Sequence, residues 1–349
     1  MNKHELTERV RSGDVLSGVY LADADLAGVD LGGGIFENVS FRGANLHGAR
    51  LAEAMFAECD FAGADLTSSN ARHALFHKCD LTSTNLSECA LCAVKILESD
   101  ATSARFSKAD LTISHLVDSA LLGADMSGAN LDRTALVQCK TTGLTLARAR
   151  LNRAVVMKAD LKRTSFEGAT LSACVLNESD LAGARLEGMD LTGTQFIGAD
   201  LRGCDMSGAV LLRCGFKGAR LAGAKLDGSD ATHAMFVEAD LKSASLRDTM
   251  LRQALLVDAD LTEADLSGAT LYESVAHRAK CVKARLASAD MTYADFSHAD
   301  LTSADLSGAK LFRTRLHRVR DAGATFTNRA AALGDEAKLA RAEDWTPSI

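Results

Sequence analysis

The sequence predicts an all-β solenoid. Three observations carry that prediction: a five-residue repeat held in one register along nearly the whole chain, a side-chain pattern that suits strands, and phenylalanines that recur every twenty residues. In the stretch from Ala299 to Ala309 the unit reads small, Asp, Leu, then two small or polar residues. Every fifth position from Leu16 to Leu316, sixty-one centres without an insertion or deletion, is Leu, Phe, Met, Ile or Val, except Ala71, Ala101, Ala231, Ala276, Thr141 and Cys281. Repeats of this kind decide an architecture before any local propensity does.

Two residues before each centre stands a small residue, such as Ala44, Ala64, Cys79, Ala124 or Ala264; Leu144 and Met189 are among the few larger ones. Side chains alternate across a strand, so the centre and the residue two before it share the inner side, and the residues flanking the centre point outward. A helix cannot hold this pattern, because five residues fit 3.6 per turn badly. Phe36, Phe56, Phe76, Phe196, Phe216, Phe236 and Phe296, seven of the 13 Phe residues, are congruent modulo twenty. Four repeats therefore complete one coil. Sixty-one centres make about 15 coils, about 70 Å long at the ~4.8 Å spacing of neighbouring strands.

The A-(D/N)-L-x-x pattern resembles the pentapeptide-repeat family over roughly residues 14–328. The resemblance implies a right-handed quadrilateral β-helix, one repeat per side, with short helical caps at the termini. The insertion-free length, small N-terminal cap and Phe column are also similar to pentapeptide-repeat proteins encoded with type VI secretion components. That likeness implies an accessory, adaptor or effector-loading role in a bacterial cytosol. The family resemblance also implies an alternative, a DNA-mimicking topoisomerase (gyrase)-binding protein of the fluoroquinolone-resistance type. Those are shorter acidic rods that dimerise through their C-terminal ends.

In chain order, residues 1–13 read as an N-terminal helical cap. Asn2 is its cap residue, Glu5 follows three residues on, and Leu6 and Val10 form the apolar stripe. An open solenoid end exposes core and strand edges, which such a helix covers. Residues 14–328 are the β-helix. Its only possible interruption by Pro is avoided, since Pro347 lies beyond it. Residues 329–349 form a C-terminal helical cap or tail broken at Gly334, with Leu333, Leu339 and Trp345 as its docking or dimerising residues. A net charge of −7 argues against a basic nucleic-acid-binding face. The charged N-terminus is unlike a signal peptide, and no apolar run is long enough to span a membrane. The expected location is a bacterial cytoplasm. Seven of the nine Cys residues hold the small inward position, Cys281 is a centre and only Cys92 faces out, so Cys serves here as a buried apolar residue. Cys59 and Cys79 stack one coil apart, where a bridge is conceivable, but the odd count favours reduced thiols.

The four sides differ. On three, the residue before the centre is mostly polar, as in the single column Asp60, Asp80, Asp100, Asp160, Asp180, Asp200, Asp240 and Asp260. Such Asp residues either accept corner N–H groups or imitate DNA phosphates. Lys140, Arg220, Lys280 and Arg320 interrupt one column, and Arg105, Arg185, Lys225 and Arg285 another, against imitation. On the fourth side, which bears the Phe column, the outward positions hold Ile35, Met55, Leu75, Leu97, Val117, Val137, Val155, Met157, Val175, Ile197, Met235, Val237, Leu255, Val257 and Val275. At roughly 60 Å² each they expose about 900 Å², against ~300–600 Å² for the largest apolar patch of a monomer. One corner of this side carries His73, Arg133, Arg153, Arg213, His233 and Arg313; the other carries Glu58, Glu98, Asp118, Glu178, Glu238 and Asp258. β-propensity alone favours Val, Ile and Leu in a strand, but it does not explain why the other sides avoid them. The expected function is a non-enzymatic scaffold that binds a protein partner, or a second copy of itself, through this side.

No nucleophile–base pair falls together in register, no Gly-rich loop has a phosphate-binding context, and no cofactor is implied. His277, His298 and His317 lie on adjacent coils, but no carboxylate or Cys completes a metal set, and they read as a surface cluster. Thr141 is the weakest point of the core.

Overall fold

The computed structural model describes residues 2–345; Pro347 lies outside them. The chain forms two compact units, Met1–Asp180 and Leu181–Ile349. Each is an all-parallel β-solenoid.

In the first unit, helix α1 (Lys3–Arg11) packs on the first coil. The Asn2 side chain accepts the Glu5 amide at 2.9 Å, which satisfies one of the donors a helix start leaves free. Leu6 and Val10, one turn apart, are its buried face. Eight short strands follow: β1 (Val15–Ser17), β2 (Ile35–Glu37), β3 (Met55–Ala57), β4 (Leu75–His77), β5 (Lys95–Leu97), β6 (His115–Val117), β7 (Ala135–Val137) and β8 (Val155–Met157). They pair in sequence order as one parallel sheet. Each residue lies opposite the one twenty positions on, as Phe36 does to Phe56 and Phe56 to Phe76. Four units therefore make one coil. The other sides are joined by single parallel bridges, such as Asp60–Asp80, Asp65–Asn85 and Asn70–Ala90.

Every centre from Leu16 to Leu316 is buried. In the first unit Phe36, Phe56 and Phe76 stack with centroids 4.9 and 5.0 Å apart, and Phe41 stacks on Phe61 at 4.8 Å. The two columns meet edge to face, Phe56 against Phe61 at 5.1 Å. Such pairs add roughly 0.5–1.5 kcal/mol each to the burial of the rings.

The chain turns its corners two residues after nearly every centre, through a left-handed backbone. Many of these corners carry Gly, but Ile113 holds φ 61° with a β-branched side chain that is 45% exposed. Its side chain gains little from packing and crowds its own backbone. Ile113→Asn is expected to stabilise the fold by roughly 1 kcal/mol, raising the thermal midpoint by about 1–3 °C. A circular dichroism melt with an unchanged or lower midpoint would contradict this.

Thr141 is the one polar centre, and it is fully buried. Its hydroxyl donates to the Asp160 carbonyl at 3.0 Å. The run of bridges through Asp60, Asp80, Asp100, Ala120 and Lys140 stops at this point and resumes with Asp160–Asp180. A side-chain bond has replaced backbone pairing where the apolar centre is missing.

The second unit repeats the same register. Phe196, Phe216 and Phe236 stack nearly parallel at 5.2 and 4.7 Å. Near its end β9 (Asp305–Leu306) pairs with β10 (Thr325–Phe326). A 3-10 turn at Arg329–Ala331 follows, and Leu333 forms a parallel bridge with Arg315, adding part of a further turn. Helix α2 (Ala337–Glu343) then lies against this end. The Arg318 guanidinium donates to the Ala340 carbonyl at 3.1 Å, and the Asp335 carboxylate accepts the Arg318 amide at 2.7 Å. Leu333, Leu339 and Trp345 remain 49%, 43% and 71% exposed.

All nine cysteines are free thiols, and all but Cys92 are buried. Burial pushes Cys174, Cys204, Cys214 and Cys281 up to about 12, so these sulfurs stay protonated as small packing groups.

Candidate protein-binding face

The Phe-bearing side is the one on which the first unit forms continuous strands rather than single bridges. Alternation sends the central residue of each strand inward and its two neighbours outward: Val155 and Met157 flank buried Val156, and Met55 flanks buried Phe56. None of the fifteen apolar residues picked out on this side is buried. Ile35, Met55, Ile197 and Met235 are the ones more than a third exposed; the remaining eleven are half-buried. Their area is thus smaller than that of separately exposed side chains. The physical reason is the coil spacing, which presses each residue against its equivalents above and below, as Val137 lies against Val117 and Met157. The result is a flat, tightly paved apolar strip within each unit.

Glu37, His77, Lys95, His115 and Asn177 interrupt the strip in the first unit, Gln195, Gly215 and Lys217 in the second, and beyond Val275 the outward positions turn polar with His277, Asp295 and Arg315. The rims keep their charge. Arg133, Arg153 and Arg213 form no ion pair among the described residues, nor do Glu58, Asp118 and Glu238. Glu98, Glu178 and Asp258 are partly or fully neutralised, by Lys78 at 4.0 Å, Lys158 at 3.7 Å and Arg278 at 2.6 Å.

The Asp columns on the other sides have a different task. Asp60, Asp65 and Asp80 each accept the amide two residues on at 2.9 Å, and Asp300 does so at 3.0 Å. The short side chain closes the corner and satisfies a donor the strands leave free. Cations one residue after a centre bridge successive carboxylates. Arg42 lies 2.9 Å from Asp60 and 3.9 Å from Asp80, and Lys162 lies 2.9 Å from Asp180 and 3.9 Å from Asp160. Lys242 joins Asp240 and Asp260 in the same way. At Asp200 the Arg202 guanidinium, aided by the Arg202 amide and by Arg220, holds the carboxyl below the usual range against the effect of burial. Sequence reading counted the cations within the columns and missed these bridging ones. For Lys162, Arg202 and Lys242 the available signal was a cation directly after a centre that follows an Asp; Arg42 follows Ser40 and Phe41 and carries no such mark.

The three histidines separate. His277 turns to Asp295 at 2.9 Å. His298 and His317 stay together, and helix α2 brings Glu343 to both, at 3.3 and 3.1 Å. A carboxylate does complete the set, then, and it comes from a residue outside the repeat.

A parallel solenoid of five-residue units with a buried apolar centre defines a class of repeat protein. The family model "Pentapeptide repeats" matches in 8 copies over residues 142–177, 171–208, 214–253, 239–275 and 279–318. The model "Pentapeptide repeat region" matches residues 29–106 and 49–126. The chain belongs to the pentapeptide-repeat family. Among solved structures it is similar to full-length QnrB1, a plasmid-mediated fluoroquinolone resistance protein, at 20% identity over 52% of this chain and 90% of that one, TM-score 0.34. It is also similar to HetL, involved in heterocyst differentiation regulation in the cyanobacterium Nostoc, at 24% identity over 81% of this chain and 96% of that one, TM-score 0.22. A third is Rfr23 from the cyanobacterium Cyanothece, at 20% identity over 42% and 85%, TM-score 0.19. No curated protein matches the chain in sequence. Among the described residues no helix is long and apolar enough to cross a membrane.

Proposed function

We infer that this protein is a non-enzymatic scaffold whose apolar side docks another polypeptide. The observation that carries this reading is the paved strip of outward Val, Ile, Leu and Met on the one side where the first unit forms a continuous sheet, between a basic and an acidic rim. Burying such a strip removes apolar surface from water, and the charged rims set the partner's orientation. For a second copy of the chain the rims choose between two arrangements. A two-fold axis along the stacking direction places the basic rim of one copy on the acidic rim of the other. An axis across that direction places like on like. Self-association, where it occurs, is therefore parallel. An adaptor role beside bacterial type VI secretion components is one setting for such a face, with an effector as the docked partner in a bacterial cytoplasm.

The direct test is solution mass by light scattering, for the wild type and for variants with the strip charged. Loss of a dimer in the charged variants supports a self-interface. A monomer in every case directs the strip to a different protein. The topoisomerase-binding alternative is disfavoured by the bridging cations, which offset the Asp columns that would imitate phosphates. Excess protein is expected to leave gyrase supercoiling unchanged, and inhibition in that assay would restore the alternative.

A further inference from the structure

We propose that His298, His317 and Glu343 form a site for one zinc-like divalent ion that clamps helix α2 onto the end of the second unit. His298 and His317 stand on successive coils with their rings 5.5 Å apart and perpendicular, at 89°. Helix α2 places one Glu343 oxygen 3.3 Å from His298 Nε2 and the other 3.1 Å from His317 Nε2. One ligand atom from each residue lies within 4.8 Å of the others. Ligands about 2.0–2.2 Å from zinc stand roughly 3.3 Å apart around a tetrahedron. The two histidine–carboxylate contacts have about that spacing, and the full set, within 4.8 Å, draws in by about an ångström or more around a shared ion. Two imidazoles and one carboxylate suit zinc rather than magnesium or calcium, and they leave a fourth position for water.

The surrounding groups define what binding must rearrange. His317 is 4% exposed, and its Nδ1 accepts the Glu336 amide at 3.1 Å, so its proton sits on Nε2 facing Glu343. With an ion on Nε2 the ring proton moves to Nδ1. Asp335 Oδ1, 3.7 Å away, is then its acceptor, in the carboxylate–histidine–metal arrangement, and the Glu336 amide gives up its bond to the ring. Arg318 Nε, 3.7 Å from Glu343, competes for the same carboxylate, but the Arg318 guanidinium also pairs with Asp344, which keeps it at the edge of the site. The ion would link two coils to a helix that is otherwise held through part-buried and exposed polar contacts.

The test uses the full chain without an affinity tag, and zinc chloride alone competed against a chromophoric chelator near neutral pH. One ion per chain is expected. His298→Ala and Glu343→Gln each remove a direct ligand and should weaken binding by at least the ~100-fold upper value seen for outer-shell partners, while His277→Ala leaves it unchanged. Both altered side chains are substantially exposed, 39% and 31%, and circular dichroism checks that the variants fold. In parallel, zinc should protect the bonds after Lys338 and Arg341 from trypsin in the wild type and not in Glu343→Gln. No zinc binding by the wild type, or binding that survives His298→Ala, overturns the site. Binding and protection that persist in Glu343→Gln overturn the clamp.

Discussion

Phe216→Asp is expected to abolish cooperative folding of the second unit. Phe216 is fully buried between Phe196 and Phe236, at 5.2 and 4.7 Å, with interplanar angles of 2° and 4°. A carboxylate there would lose its hydration with no buried cation to meet it, a penalty of several kcal/mol even after the site relaxes. The ring itself is also lost, and deleting a buried Phe side chain costs roughly 3–5 kcal/mol. Each coil in a solenoid is held chiefly by its two neighbours, so the damage passes to the adjacent coils. Phe216→Leu is the control. Leu fills the equivalent centres Leu256 and Leu316 in the same unit, both buried, and the change should cost much less. Circular dichroism melts and solubility read the difference. An Asp variant that melts like the wild type would mean that the centres do not face the core.

Charging the strip should do the opposite: leave the fold and remove association. The four substitutions are Val155→Lys and Met157→Lys in the first unit, and Met235→Lys and Val257→Lys in the second. All four positions are half-buried or exposed. The chain already carries Lys95 and Lys217 in equivalent outward positions, both exposed, so the aliphatic stem can lie along the strip with its ammonium in water. Stability should change by no more than about 0.5 kcal/mol per site. A docked partner, in contrast, would have to cover several unpaired ammonium groups. At a contact where truncation alone costs ~2 kcal/mol or more, affinity should fall by at least about 30-fold. Light scattering reads a self-interface, and titration of a labelled candidate partner reads a heterologous one. Unfolding of the charged variants would show that these side chains belong to the core.

Much of this molecule was legible in its sequence because the period of five is local. Each residue's side depends only on its place in its own unit. Every centre from Leu16 to Leu316 is buried, Phe36, Phe56 and Phe76 share one column, and Asn2, Leu6 and Val10 begin and anchor α1 as their spacing requires. The outward direction of Val155 and Met157 follows from the same alternation, and so does the contrast between buried Cys139 and half-exposed Cys92.

What the tertiary structure alone decided lies between coils and beyond the repeat. The exposure of the strip depends on how closely neighbouring coils press its side chains together, a lateral packing effect that counting residues overestimates. Arg42 bridges Asp60 and Asp80 because a long flexible side chain reaches across the stack to charges eighteen and thirty-eight residues on. Thr141 spends its hydroxyl on the Asp160 carbonyl, an outcome that geometry, not register, selects. Glu343 reaches His298 and His317 because the tail folds back over the last coil. Nothing periodic encodes that return, since it depends on contacts between segments that share no repeat.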